Sequence, residues 1–164
     1  MYGRWKGVAG GKPPPFTYLY TTMTPREISE RRKMTIQFFI PCKPPTKTHQ
    51  MKKIRVVKGK PIFYEPQEVL TIRQKFTAML KGYAPVTPII GPVRLFTKWC
   101  YPRGAHDNGT WKTTKPDTDN MIKLFKDCMT ATGYWKDDAQ VCSELTEKFW
   151  SEIPGIFVHV EALE

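Results

Sequence analysis

The stretch KPDTDNMIKLFKDCM, Lys115 to Met129, sets two aspartates one residue apart at the head of a segment with helical period. From Thr118 to about Thr130, Met121, Ile122, Leu124, Phe125, Cys128 and Met129 fall on one side, and Asp119, Lys123 and Asp127 on the other. That division predicts an amphipathic helix with one face on a core. Gly133 ends it, YWKDDAQ connects onward, and two strands follow, about Val141 to Trp150 and Ile156 to Ala162, parted by Pro154-Gly155.

Upstream, TIQFFI predicts a strand over Thr35–Ile40, stopped by Pro41 and the pair Pro44-Pro45. KKIRVVKGKPIFYE reads as a hairpin turning at Lys58-Gly59. In Gln67–Lys81, residues Val69, Ile72, Phe76, Met79 and Leu80 recur at helical spacing, with Gly82 as the C-terminal cap. PVRLFTKWCYP alternates like a strand, and GAHDNGTWKTTKP is a polar loop. The order implies an α+β domain over residues 34–164, a mixed sheet with two main helices packed on it. Residues 1–33 form a flexible basic arm, rich in Gly and Pro, with a short helix expected from Thr24, where Pro25 and Glu27 complete a capping pattern.

Charge is distributed unevenly. Residues 1–106 carry +16 and residues 107–164 carry −5, within a net charge of +11. A basic excess of this size points to a polyanionic partner, nucleic acid first. No apolar run is long enough to span a bilayer, and no secretory signal opens the chain, so an intracellular protein with no membrane partner is expected. The cysteines Cys42, Cys100, Cys128 and Cys142 lack metal-ligand spacing.

Five aspartates, Asp117, Asp119, Asp127, Asp137 and Asp138, lie within 22 residues. The plain reading is helix capping for Asp117 and Asp119, a solvated bridge from Lys123 to Asp119 and Asp127, and a turn for Asp137-Asp138. The alternative is a metal site. A cap needs one carboxylate, not two, and acids brought together when the chain reverses after the helix require a cation such as Mg²⁺. Acid in a basic field suits phosphodiester hydrolysis, with Lys123 offsetting transition-state charge or orienting Asp119.

KPDTDNMIKLFKDCM followed by GYWKDDAQV resembles the signature of RusA-type Holliday junction resolvases, and FFIPCKPPTK, IFYEPQEV, SELTEKFW and GIFVHVEAL extend the likeness over about residues 34–163. The resemblance implies a RusA-like fold and a homodimeric, Mg²⁺-dependent endonuclease, with one or two ions per subunit and Mn²⁺ as a substitute. It implies paired symmetric nicks in four-way junction DNA during recombination and repair, no organic cofactor, and a cytoplasmic, bacterial or phage-encoded setting. The family's essential aspartates fall on Asp117, Asp119 and Asp138 as metal ligands, and its lysine on Lys123. Asp137, Asp127 and Asn120 support them, with Asp127 a candidate to orient Lys123. Lys43, Lys47, Lys52, Lys53 and Arg55 of the basic loop, with Lys115, are the expected DNA contacts. His49 lies in that loop, whereas His106 and His159 have no chemical partner in sequence. Of the tryptophans, Trp111 is the best placed to stack on an unpaired base. A non-catalytic nucleic-acid-binding protein and a nuclease with broader branched-DNA targets are the rival readings.

Overall fold

The computed structural model describes residues 34–46, 53–57, 60–64 and 66–163. The predicted arm over 1–33, with its helix at Thr24, lies outside them, as do Lys47, His49 and Lys52. In chain order the elements are β1 (Thr35–Pro41), β2 (Lys53–Val57), β3 (Lys60–Tyr64), α1 (Gln67–Lys81), β4 (Val93–Pro102), α2 (Thr118–Ala131), a 3₁₀ turn (Asp138–Gln140), β5 (Val141–Ser151) and β6 (Gly155–Ala162). β2 and β3 pair antiparallel, with Val57 opposite Lys60. The other four strands form one sheet in the order β1-β6-β4-β5.

Only β4 and β5 are parallel in that sheet; β1–β6 and β4–β6 are antiparallel. A parallel pair requires a long crossover, and here it carries α2. Alternation in β4 buries Val93, Leu95, Thr97, Trp99 and Tyr101 while leaving Arg94, Phe96 and Lys98 more accessible. The buried set meets both helices: Phe76 of α1 and Phe125 of α2 stand edge-on to each other at 5.1 Å, and to Trp99 at 6.0 and 5.3 Å. All six apolar residues predicted to face inward from α2 are buried. In α1, Val69, Phe76 and Leu80 are buried, and Ile72 and Met79 pack against the core.

Two ion pairs fix how α2 lies. Lys126 reaches Glu144 of β5 at 2.7 Å, and Asp127 reaches Arg73 of α1 at 3.6 Å. The expected pairing of Asp127 with Lys123 is therefore corrected, because the Asp127 carboxylate faces the neighbouring helix. No helix among the described residues is long and apolar enough to cross a membrane.

Candidate active site

The loop ahead of α2 is held from behind by β5. Lys148 Nζ donates to Thr114 O at 2.9 Å and to Pro116 O at 2.8 Å. Lys112 is buried over the rings of Trp150 and Tyr101, 4.3 and 5.1 Å from their centroids, and donates to Thr114 Oγ1. Burial, then the nearby Lys148 charge, holds its ammonium below the usual lysine range. Neither lysine meets a carboxylate within 4.0 Å among the described residues. Sequence reasoning missed both, since a lysine on a strand or in a polar loop gives no sign that it will turn inward.

So held, Asp117 becomes the N-cap of α2 in an extended conformation (φ −75°, ψ 146°), yet its side chain accepts no capping hydrogen bond. The exposed Asp119 has no hydrogen bond or ion pair among the described residues, and neither has the exposed Lys123, one turn on. Asn120 is 8% exposed, and its amide has no partner there either. A buried amide left unsatisfied would cost about 1–3 kcal/mol, which a metal ion or phosphate oxygen brought beside it would offset. Capping, the plain reading of Asp117, does not account for this cluster.

Tyr101 ties the cluster to the loop that follows β1. Its hydroxyl donates to Pro45 O at 3.1 Å and stands 3.3 Å from the Met121 sulfur. Burial pushes its pKa far above the ordinary phenol value, so the proton stays available for donation. Exposed Lys43 sits in that loop, and exposed Lys115 immediately precedes the aspartates. Of Lys53 and Arg55 only the backbone is described, in β2.

Asp138 is not part of this cluster. α2 has 14 residues, about 20 Å of helix, and runs antiparallel to β5, from Lys148 at its start past Glu144 to the 3₁₀ turn. Asp117 and Asp119 lie at one end and Asp138 at the other. Among the described residues no three His, Cys, Asp or Glu side chains converge to hold a metal. The expected set of Asp117, Asp119 and Asp138 is therefore represented at this end by Asp117 and Asp119. Chain reversal after α2 returns DD to the sheet, but at the beginning of β5, where Gln140 is tied to the beginning of β4.

The two adjacent aspartates have different tasks. Asp137 caps the 3₁₀ turn, its Oδ1 accepting from Ala139 N at 2.8 Å. Gln140 Oε1 accepts from Lys136 N and Asp137 N, and its Nε2 donates to Ile89 O and Gly91 O, both at 2.9 Å. Asp138 has no partner among the described residues. Because Gln140 serves four backbone groups at once, Gln140→Ala is expected to cost about 2 kcal/mol, read as a lower urea midpoint at unchanged m-value. A cost within ~0.3 kcal/mol would show that these bonds are replaced by water without loss.

At the α2 end, the donor set suits a hard cation. Mg²⁺ takes one or two carboxylates and keeps several waters, completing its shell with phosphate oxygens. Asp117 and Asp119 would supply that number, and the Asn120 amide, without a partner among the described residues, would add an oxygen or a hydrogen-bond donor.

Comparisons with known proteins converge on one family. Residues 41–161 match the family described as Endodeoxyribonuclease RusA. A crossover junction endodeoxyribonuclease rusA from Lactococcus phage r1t is 33% identical over 95 residues, 57% of this chain and 72% of that protein. The Bacillus subtilis (strain 168) protein YqaN, described as uncharacterized, is 31% identical over 114 residues, 62% of this chain and 80% of the relative.

Proposed function

The chain belongs to the RusA family of endodeoxyribonucleases, and from that membership and its site we propose a Mg²⁺-dependent nuclease that cuts four-way DNA junctions by paired, symmetric nicks. The observation that carries the reading is the pair of carboxylates, Asp117 and Asp119, that have no side-chain partner among the described residues, beside the buried amide of Asn120. Mg²⁺, or Mn²⁺ in its place, would be held there as one or two ions; when bound, such an ion activates water and offsets charge on the phosphodiester.

Everything else is done by the chain. Lys43 and Lys115 bind the backbone phosphates, and Lys47, Lys52, Lys53 and Arg55 are the further phosphate contacts that the sequence suggests. The ammonium of Lys123 faces the charge that builds on the phosphoryl oxygens. The N-terminus of α2 adds its positive dipole end to the same anion. Trp111, 62% exposed and leaning on Phe149 at 4.4 Å, offers a face for an unstacked base. Two sites in a homodimer would permit the paired nicks. The setting is DNA recombination and repair inside the cell.

A panel of four-way, three-way and linear duplex substrates at one salt concentration, with and without Mg²⁺, tests this reading. Cleavage of the four-way junction should exceed that of linear duplex by roughly a thousand-fold, the scale that separates specific from non-specific DNA binding, and should require the metal. Equal cutting of all three would make it a broader nuclease. Binding without cutting in Mg²⁺ or Mn²⁺ would make it a binding protein.

A further inference from the structure

α2 is fastened to β5 at two places. Lys126 of the helix reaches Glu144 of the strand at 2.7 Å. At the helix start the tie comes from the strand, where Lys148 Nζ donates to Thr114 O at 2.9 Å and to Pro116 O at 2.8 Å. By alternation Glu144, Thr146 and Lys148 share a face of β5, and the Thr146 hydroxyl bonded to that of buried Thr97 at 3.2 Å puts this face on the core side. Glu144 to Lys148 spans about 13 Å of strand, and Asp117 to Lys126 about the same length of helix. The two ties therefore run in step, and the one at Lys148 sets where along β5 the helix begins.

A neutral donor could serve two carbonyls, and taking an ammonium out of water without a carboxylate beside it is costly. What the ammonium adds is charge-assisted hydrogen bonding, shorter and stronger than a neutral donor gives. One of its acceptors is the carbonyl of the residue before Asp117. A single planar peptide lies between Pro116 O and the Asp117 Cα, so holding that oxygen fixes the plane from which the Asp117 side chain departs. On its other flank Asp117 O accepts from Met121 N at 3.2 Å. The Asp117 main chain is thus held on both sides, while its carboxylate takes no capping hydrogen bond. Thr114 is also gripped twice, at its carbonyl by Lys148 and at its hydroxyl by Lys112, whose own N–H donates to Lys148 O at 3.0 Å.

We propose that Lys148 is a positioning residue for the cleavage reaction: it holds the peptide between Pro116 and Asp117 so that the Asp117 carboxylate is set for the metal, and Lys112 braces the same loop through Thr114. The proposal rests on the nuclease reading above and adds to it a cation that acts through the main chain and touches neither metal nor DNA.

Lys148→Met keeps the aliphatic stem and removes the ammonium. Single-turnover cleavage of the four-way junction at saturating protein should fall about 100-fold, the loss that a misplacement of about 1 Å brings. The Mg²⁺ concentration for half-maximal cleavage should rise several-fold, which a purely structural loss would not cause. The junction dissociation constant and its salt dependence should stay at the wild-type values, whereas losing a phosphate contact would reduce the slope of log K against log salt by about 0.9. Lys148→Arg, which can donate to both carbonyls, should recover most of the lost rate. Lys126→Met releases the other tie and should cleave at close to the wild-type rate when assayed well below its Tm. If Lys148→Met does not fold, Lys148→Gln, with a neutral donor, carries the same comparisons. Weaker binding with a reduced salt slope would make Lys148 a phosphate contact, and an equal loss in Lys126→Met would make it a general stabiliser. Either result overturns the proposal, as does undiminished cleavage by Lys148→Met.

A second measurement needs no catalysis. Amide hydrogen exchange in Lys148→Met should speed up over residues 112–121, including the Met121 amide that Asp117 O holds, while the amides of β4 and β6 keep their protection. Unchanged exchange over that segment overturns the proposal whatever the wild type cuts. A wild type that cuts no DNA, together with release of the segment in the variant, removes the nuclease reading and leaves the hold on Asp117 standing.

Discussion

Asp119→Asn should reduce metal-dependent junction cleavage by roughly a thousand-fold, about 4 kcal/mol of transition-state stabilisation, while junction binding stays the same or tightens. The substitution keeps the side chain's shape but removes a charge from a group that has no partner among the described residues. Binding should not suffer, because the lost charge repels phosphate. At about 0.1 M salt, where screening acts over ~10 Å, the dissociation constant should fall no more than a few-fold. If Asp119 merely complements the helix dipole, the same change would cost 0.3–1 kcal/mol of stability and leave cleavage intact. Single-turnover cleavage, set beside a gel-shift titration in Ca²⁺, separates the two, and undiminished cleavage would remove Asp119 from the site.

Elements were legible in the sequence where burial imposes a period. The α2 face of Met121, Leu124, Phe125 and Cys128, and the alternation of Leu95, Thr97 and Trp99, both appear in the structure as read. Distance was less legible. The acids of DTD and DD are 19 residues apart counted from Asp119 to Asp138, and chain reversal invites the inference that they meet. Helix length carried the opposite signal, because a straight helix of this size already holds its ends about 20 Å apart.

Division of labour between Asp137 and Asp138 was also available, since D-x-x-Q has the spacing of a capping box and assigns Asp137 and Gln140 to structure. Nothing local distinguishes Lys148 from the surface lysines. Its task depends on a loop that folds back along β5, a tertiary event with no sequence period. His106 is similar: its stacking on Trp150 at 4.2 Å joins residues 44 positions apart.

The largest expected loss of stability comes from one methyl group on the β1–β6 seam. Gly155 begins β6, with Pro41 of β1 opposite on one side and Cys100 of β4 on the other. A Cβ built there would run into the Phe39 ring and lie 2.6 Å from Ile40 O. The ring can swing aside. The carbonyl cannot, because Ile40 is held opposite Ile156 in the β1–β6 register. Alanine would otherwise gain about 0.5–1 kcal/mol over glycine within a strand, so the sign of the effect is set by whether the backbone yields. It is tied on both sides, and overpacking of this kind costs 1–3 kcal/mol. Gly155→Ala should therefore lose about 3 kcal/mol, lowering Tm by about 8 °C for a domain of this size. Removing the ring as well, in Phe39→Ala/Gly155→Ala, should recover little, since the carbonyl contact remains. A single mutant within 1 kcal/mol of wild type would mean that the ring alone fills the space and that β1 can shift. Assayed well below its Tm, the variant should keep most of its cleavage rate, because Asp117, Asp119 and Lys148 lie off the β1–β6 seam, and any loss should appear as weaker DNA binding through Lys43, two residues beyond Pro41.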